Sequence, residues 1–153
     1  MAGHGPAQHH IRYRQVAHDA IAFVNDALRR GDRLLVSYKD GNAKLNAYLD
    51  DYAFYAAALL DAFEALQNRA YLESARAIAD SMLRHFWDED SGGFYFTSDD
   101  HEELIVRAKP AFDGSIPSGN SVATQVLLRL HHLTGDDLYL QRAETTLALL
   151  APA

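Results

Sequence analysis

The sequence predicts an all-α fold of stacked helical hairpins, with about five helices. Apolar residues recur at helical spacing in five segments, residues 13–30, 49–66, 71–87, 121–133 and 138–150. Segments 49–66 and 121–133 are apolar on most of their sides, whereas the other three have one apolar and one polar face. A helix that is apolar on most sides must be surrounded by protein. We therefore expect inner helices to alternate with outer ones.

Each of the three outer segments has an apolar face that we expect to be buried. These faces comprise Val16, Ala20, Phe23, Val24, Ala27 and Leu28 in the first segment, Leu72, Ala75, Ala79, Met82 and Phe86 in the second, and Leu140, Ala143, Leu147 and Leu150 in the third. All three segments open with the pattern Tyr-x-x-x-Ala. Such a recurrence in successive segments is typical of stacked helical hairpins.

The connections between segments differ in length at the two ends of the array. Short connections follow Leu66 and Leu133, and long ones span residues 31–48 and 88–120. The first long connection contains the strand-like run “LLVSY”. The second contains “GGFYF” and “ELIVR” on either side of “TSDDHE”, which predicts a small β-hairpin. Long ordered connections in a compact domain are usually functional, so we expect the functional site at the mouth, the end of the array at which both inner helices begin.

Composition and charge argue against several classes of function. The chain has 153 residues, which is the size of one domain. Its net charge is −7 and its basic residues do not cluster, so we expect no nucleic-acid partner. It has no cysteine, which removes disulfide and thiolate chemistry. No apolar run approaches the roughly 20 residues of a membrane span, and we expect a soluble protein of the cytoplasm.

The amino-terminal stretch and the histidines point to no further site. Residues 1–12 lack the apolar core of a secretory signal, and we expect a disordered leader or a remnant of expression there, followed by one domain over residues 13–153. His131 and His132 are neighbours on a helix, so their side chains diverge by about 100°. The sequence has no H-E-x-x-H pattern and no phosphate-binding glycine loop. We therefore expect no metal and no cofactor.

Two adjacent carboxylates open the first inner helix. Asp50 and Asp51 lie in its first turn, where the helix dipole favours negative charge. One interpretation is that one carboxylate caps the helix and the other is solvated. The other is that one of them lies in a cleft and acts as a catalytic acid or base, since paired carboxylates carry out glycoside hydrolysis and proton transfer at sugar carbons. Tyr52 and Tyr55, beside them, are candidates for stacking on a sugar ring or for simple packing.

Charged residues also cluster at the predicted hairpin and just beyond it. Asp99 and Asp100 lie at its tip, and Arg107 and Lys109 follow its second strand. These cations can pair with Asp99 or Asp113. Such a pair either fixes the loop or binds a substrate, and the sequence leaves both interpretations open.

The start of the second inner helix is rich in small polar residues. Asp113 belongs to a turn, and Ser118, Asn120 and Ser121 begin the helix, where such residues act as caps. Because this helix begins at the same mouth as Asp50, these residues are also candidates for ligand binding. Both roles remain open at this point.

Three blocks of the sequence, “LDDYAF”, “FWDEDSGGFYFTSDDHEELIVRAK” and “FDGSIPSGNSVA”, resemble consecutive signature blocks of the spermatogenesis-associated protein 20 family. The resemblance implies part of an (α/α)6 barrel that is similar to N-acylglucosamine 2-epimerases, cellobiose epimerases and six-hairpin glycosidases, with its site at the mouth. The family's thioredoxin-like domain and its cysteines have no counterpart in the sequence. The residues that match signature positions are Asp50, Asp51, Tyr52, Asp99, Asp100, Arg107, Lys109, Asp113, Ser118, Asn120 and Ser121.

Two classes of function follow from these observations. The first is a carbohydrate cleft, epimerase-like or glycosidase-like, with Asp50, Asp51 and Asp113 as catalytic candidates and the other signature residues as substrate-binding candidates. The alternative is a non-catalytic helical module that binds a protein partner, or a remnant of the family without activity. An incomplete α/α toroid leaves apolar sides of its inner helices uncovered, so we expect a homodimer or another chain to cover them.

Overall fold

The computed structural model describes residues 6–39, 42–100, 107–109 and 117–150. Five α-helices account for most of these residues, together with one π-helical turn and three short strands. In chain order the elements are α1 (Pro6–Phe23), the π-helical turn (Val24–Leu28), β1 (Arg29–Arg30), β2 (Arg33–Lys39), β3 (Asn42–Asn46), α2 (Leu49–Leu66), α3 (Arg69–His85), α4 (Gly119–Thr134) and α5 (Asp137–Leu150).

The helices pair as two hairpins, which confirms the predicted all-α class. Helix α2 packs against α3, α4 packs against α5, and α2 and α4 lie side by side as inner helices. The short connections are closed by local caps. Gln67 ends α2 in the left-handed conformation, and the Asn68 side chain accepts a hydrogen bond from the Ala70 amide at 3.0 Å. Gly135, with φ of 72°, ends α4. Tight turns at this end leave the long connections at the mouth.

The buried face of α3 agrees with the face predicted from the sequence, whereas those of α1 and α5 differ from it. In α3 the predicted face is confirmed, and its Ala75, Ala79 and Met82 are fully buried. In α5 the buried residues are Tyr139, Ala143 and Thr146, whereas Leu147 is 47% exposed. The reason is that the Tyr139 hydroxyl donates to Asp80 of α3 at 2.7 Å, which turns the Tyr139 side of α5 towards the core.

Helix α1 also departs from its predicted face. Val16 is 58% exposed and Phe23 is also exposed, whereas Ile21 is buried. Helix α1 lies at the edge of the array and makes its helix–helix contacts mainly with α2, so one packing partner covers only a narrow part of its surface. Helix α1 begins at Pro6. That residues 1–12 form a leader before the domain stays a prediction.

The β-structure lies mainly in the first long connection. Strands β1, β2 and β3 form an antiparallel sheet with order β1-β2-β3, and β2 covers the whole of the strand-like run “LLVSY” in that connection. In the second connection, the run that includes Phe94 and Phe96 is not a strand. The described residues there show an isolated bridge between Trp87 and Phe94 and a hydrogen bond from the Phe96 amide to the Ala108 carbonyl at 2.8 Å. Residues 103–106 of the predicted second strand lie outside the described residues.

Within the described part of the chain, no helix combines the length and the apolar character needed to cross a membrane.

The hydrophobic core fills the space between the two hairpins. Leu59 and Leu60 of α2, Ile78 of α3 and Val126 and Leu127 of α4 are fully buried there. This core holds the starts of α2 and α4 in fixed relative positions, and those starts form the mouth.

Candidate active site

The two inner helices approach each other closely at the mouth, where Gly119 of α4 lies against Asp50 and Leu49 of α2. The Gly119 amide, in the first turn of α4, donates to the Asp50 carboxylate in the first turn of α2. The first amides of a helix have no partner within it and readily bind an anionic group. The second long connection joins the same place, since the Leu49 amide donates to the Phe96 carbonyl at 3.0 Å. The starts of both inner helices therefore lie together, as the loop lengths predict.

The surroundings of Asp50 change its acidity. Asp50 is half-buried, and this burial, followed by the negative charge of Asp51, raises the pKa of its carboxyl above the ordinary value. The hydrogen bond from the Gly119 amide acts in the opposite direction but does not cancel the increase. A carboxyl with a raised pKa retains its proton at a higher pH than a solvated one, which is the property a general acid requires.

The neighbouring carboxylate has a different environment. Asp51 is exposed, and its Oδ2 accepts a hydrogen bond from the Tyr48 amide at 2.9 Å, which caps α2. One aspartate is thus half-buried against a second helix and the other is a helix cap open to solvent. A carboxylate can accept several hydrogen bonds, so the cap leaves Asp51 with further capacity.

Both aspartates line a cleft of about 450 Å³, here named the Asp50 cleft. Its wall consists of residues from the π-helical turn, β2, the segment between β3 and α2, and α2 itself, namely Val24, Leu28, Leu34, Leu35, Val36, Ala47, Asp50, Asp51, Phe54 and Tyr55. The Phe54 ring is 40% exposed. The cleft therefore combines two carboxylates with an apolar and partly aromatic wall.

Tyr55, predicted from the sequence as a stacking or packing residue, lines the cleft, and so does Phe54, which was not predicted. Phe54 follows Asp51 by three positions and shares its side of the helix, and that spacing is the signal that could have identified it. The Tyr55 hydroxyl donates to Asn25 Oδ1 at 3.1 Å. Burial raises the pKa of Tyr55 to about 12 against the opposing charge of Arg29, so this hydroxyl holds its proton near neutral pH.

Tyr52 lies in the core. It is 1% exposed, its hydroxyl accepts a hydrogen bond from the Leu34 amide at 2.8 Å, and its ring packs edge-on against Phe86 with centroids 5.0 Å apart. Of the two interpretations of Tyr52, these contacts correspond to packing. Tyr52 fastens β2 to α2 and thereby positions one wall of the Asp50 cleft.

Asp99 and Asp100 join the two long connections to each other. Asp99 Oδ1 lies 3.0 Å from His85 Nδ1 and 3.3 Å from Arg33 Nη2. Asp100 forms an ion pair with Arg33 and accepts a hydrogen bond from Ser98 at 2.7 Å. Burial acts to raise the pKa of Asp100, but the Ser98 hydrogen bond and the Arg33 charge outweigh it and hold that pKa below its usual value. These contacts of Asp99 and Asp100 with Arg33 and His85 attach the second connection to the first connection and to α3.

Among the described residues, Arg107 and Lys109 do not pair with Asp99, and Asp113, their other predicted partner, lies outside those residues. Lys109 Nζ pairs with Asp88 and donates to Ser91 Oγ at 2.7 Å. Its ammonium, followed by the Ser91 hydrogen bond, holds the pKa of Asp88 far below the ordinary value. Arg107 donates to the His85 carbonyl at 3.2 Å and lies over the Tyr95 ring. Both cations thus bind groups that precede them in the chain. Arg107 binds the His85 carbonyl at the end of α3, and Lys109 binds the Asp88 carboxylate just after that helix.

The start of α4 is a scaffold. The Ser118 hydroxyl accepts a hydrogen bond from the Ser121 amide at 3.2 Å and caps the helix. Asn120 is 2% exposed, and its side chain binds both backbone groups of Phe94.

Asp113 lies outside the described residues, so its catalytic role stays a prediction. Among the described residues, no group of three or more carboxylate or imidazole side chains is arranged to hold a metal ion.

Two stacked helical hairpins whose inner helices begin at one mouth form the helical array expected for part of an α/α toroid. The chain belongs to glycosyl hydrolase family 76, whose family model matches residues 12–150. It is also 46% identical over 90 residues to spermatogenesis-associated protein 20 of Rattus norvegicus and, to the same extent, of Homo sapiens, which confirms the resemblance found in the sequence.

These relatives are much longer than the chain. The match to each spermatogenesis-associated protein 20 covers 58% of the chain but 11% of the relative. An uncharacterized protein of Caenorhabditis elegans is 30% identical over 105 residues, which is 69% of the chain and 14% of that protein. The chain thus corresponds to little more than a tenth of the length of the relatives it matches.

Proposed function

We propose that the Asp50 cleft binds carbohydrate and that the chain contributes catalytic carboxylates to glycoside hydrolysis. The observation that carries this proposal is the pairing of a half-buried Asp50, whose pKa is raised, with an exposed Asp51 in the same cleft. Glycoside hydrolysis needs one carboxylic acid that donates a proton and a second carboxylate that assists it. Different surroundings of two nearby carboxyl groups are the means by which enzymes separate these roles.

The wall of the cleft suits a sugar ring. A sugar presents an apolar face of C–H groups and a rim of hydroxyls, and binding sites combine apolar or aromatic walls with a few polar groups. Phe54 presents an exposed ring in the wall, and Asp51 lies one helical turn before it on the same side of α2. Ring stacking and hydroxyl binding are therefore available from one face of one helix.

The proposal assigns a role to each carboxylate. Asp50 donates its proton to the oxygen of the leaving sugar, since its environment favours the protonated form. Asp51, exposed at the start of α2, accepts a hydrogen bond from a sugar hydroxyl or from the attacking water. An epimerase-like proton transfer would use the same two residues. The family to which the chain belongs favours hydrolysis.

The test compares Asp50→Asn with Asp61→Asn in assays of sugar release from a panel of short oligosaccharides of common hexoses. Asp61 is a matched control because it is exposed on the same helix and forms an ion pair with Arg129 away from the cleft. Loss of general acid catalysis lowers the rate by roughly 10²–10⁴-fold, so we expect that decrease for Asp50→Asn and an unchanged rate for Asp61→Asn. Equal rates in the two variants, or no sugar release by the wild-type chain, would rule out the proposed hydrolysis.

A second candidate function is association with a second copy of this chain. Ile11, Tyr13 and Val16 on α1 are each more than half exposed. A groove of about 450 Å³ runs between α1 and α2, and alanine side chains form half of its lining. Apolar surface of this kind often marks an interface. Light scattering over a concentration series measures the mass directly; a dimer supports association, and a monomer at all concentrations contradicts it.

A further inference from the structure

The structure assigns Gly119 as the positioning residue for Asp50, an inference that rests on the proposed function of the Asp50 cleft. Gly119 is buried at the first position of α4, directly after the Ser118 cap. Its amide donates to the Asp50 carboxylate, so the start of one inner helix holds the candidate acid of the other. The hydrogen bond fixes the direction of the carboxylate, and the close approach of α4 fixes its position.

Space explains why this residue is a glycine. A Cβ at position 119 would lie 3.0 Å from both Cγ and Cδ2 of Leu49 and still closer to Asp50 Oδ1. Real Cβ atoms essentially never approach other heavy atoms more closely than that. An added methyl group would therefore displace the Asp50 carboxylate or separate the starts of the two inner helices. Leu49 is packed in the core, so the carboxylate is the group that moves.

Backbone conformation does not explain the glycine. The described glycines with positive φ are Gly31, Gly92, Gly93 and Gly135, and Gly119 is not among them. At position 119 the glycine thus meets no conformational need, which leaves the close contact with Asp50 and Leu49 as its reason.

Catalysis is sensitive to this kind of displacement. A misplacement of about 1 Å can lower a rate roughly 10²-fold. We therefore expect Gly119→Ala to lower kcat/KM for oligosaccharide hydrolysis about 100-fold while the chain remains folded. Gly135→Ala is the matched control, since Gly135 lies at the opposite end of α4 with open space around it and a φ of 72°. It strains the same helix without touching Asp50, so its kcat/KM should stay near that of the wild type.

A double variant separates positioning from a general structural role. If Gly119 acts through Asp50, then Gly119→Ala combined with Asp50→Asn should be no slower than Asp50→Asn alone, because coupled residues are not additive. If the two substitutions multiply, Gly119 acts on activity by a route other than Asp50 and the assignment is wrong.

The contact itself can be tested without any sugar. In an NMR pH titration of the full chain, the Gly119 amide proton should shift with the same midpoint as the Asp50 carboxyl carbon, and the shift should vanish in Asp50→Asn. This result decides the contact even if Gly119→Ala fails to fold. Co-titration in a chain that releases no sugar would leave the contact in place and remove the proposed function. An amide that ignores Asp50 would overturn the assignment of Gly119.

Discussion

Asn120 at the start of α4 and Phe94 in the second long connection form a reciprocal pair. Asn120 Oδ1 accepts a hydrogen bond from the Phe94 amide at 2.8 Å, and its Nδ2 donates to the Phe94 carbonyl at 2.9 Å. The Asn120 side chain thus satisfies both backbone hydrogen-bonding groups of Phe94, as a neighbouring strand would in a sheet. The pair attaches the second connection to the helical core and keeps it beside the mouth.

Replacement of Asn120 should destabilise the fold. Asn120→Ala leaves both backbone groups of a fully buried residue without a partner, and each such group costs about 1–3 kcal/mol. We expect the free energy of unfolding to fall by about 2–5 kcal/mol in urea denaturation. The control is Gln125→Ala, an exposed position on the same helix, for which the change should stay within about 0.5 kcal/mol. Similar midpoints for the two variants would contradict a scaffold role for Asn120.

The raised pKa of Asp50 has a consequence for stability. A carboxyl whose folded pKa lies above its unfolded pKa favours the fold at acid pH, and that contribution is lost as the pH rises through the folded value. Asp50→Asn removes the penalty, so the variant should gain stability relative to the wild type at about pH 7 and lose the advantage at acid pH. Thermal melts across this range measure the difference, with Asp61→Asn as control. A gain that is independent of pH would show that ionisation of Asp50 is not its cause.

The Lys109 and Asp88 pair predicts the opposite dependence on pH. Because the pKa of Asp88 is depressed in the folded state, its contribution is present above the ordinary carboxyl pKa and is lost as the pH falls through the folded value. Lys109→Met should therefore lower the melting temperature most near neutral pH. The difference from the wild type should shrink in strong acid, where Asp88 becomes protonated. A constant difference at every pH would assign the effect of the substitution to packing alone.

Phe54 should contribute to sugar binding with little effect on stability. Aromatic stacking adds about 0.5–1.5 kcal/mol, so Phe54→Ala should weaken oligosaccharide binding by roughly two- to tenfold in calorimetric titrations. Phe54→Tyr keeps the ring and should bind about as well as the wild type. Because the ring is exposed, unfolding midpoints should change little in either variant. Unchanged affinity in Phe54→Ala would remove the ring from the binding surface.

Local pattern was sufficient for the elements that are covered on a predictable side. The apolar spacing of Ala75, Ala79 and Met82 identified the buried face of α3 because this helix packs along its length against α2. The same reasoning was wrong for Val16 of α1, since an apolar face is buried only where a partner lies against it. Periodicity shows which face is apolar and contains no information about how much of it a neighbour covers.

The candidate site was predictable in part for a similar reason. The position of Asp50 at the start of an inner helix follows from the sequence. Its burial, however, depends on the approach of Gly119 from a helix that begins 69 positions later in the chain. Asn120 was identified as a site residue, but its engagement with Phe94 required the path of the second connection. Such long-range contacts decide whether a polar residue binds a ligand or the protein itself.

A carbohydrate site at the mouth can be tested by an NMR titration of the labelled chain with short oligosaccharides of common hexoses. We expect saturable shifts of backbone amides that concentrate at Asp50, Asp51, Phe54 and Tyr55, the residues that α2 contributes to the Asp50 cleft. We also expect Asp50→Asn to weaken the response and Asp61→Asn to leave it unchanged. No saturable shift with any oligosaccharide, or shifts confined to a surface away from the mouth, would contradict a carbohydrate site at the start of the inner helices.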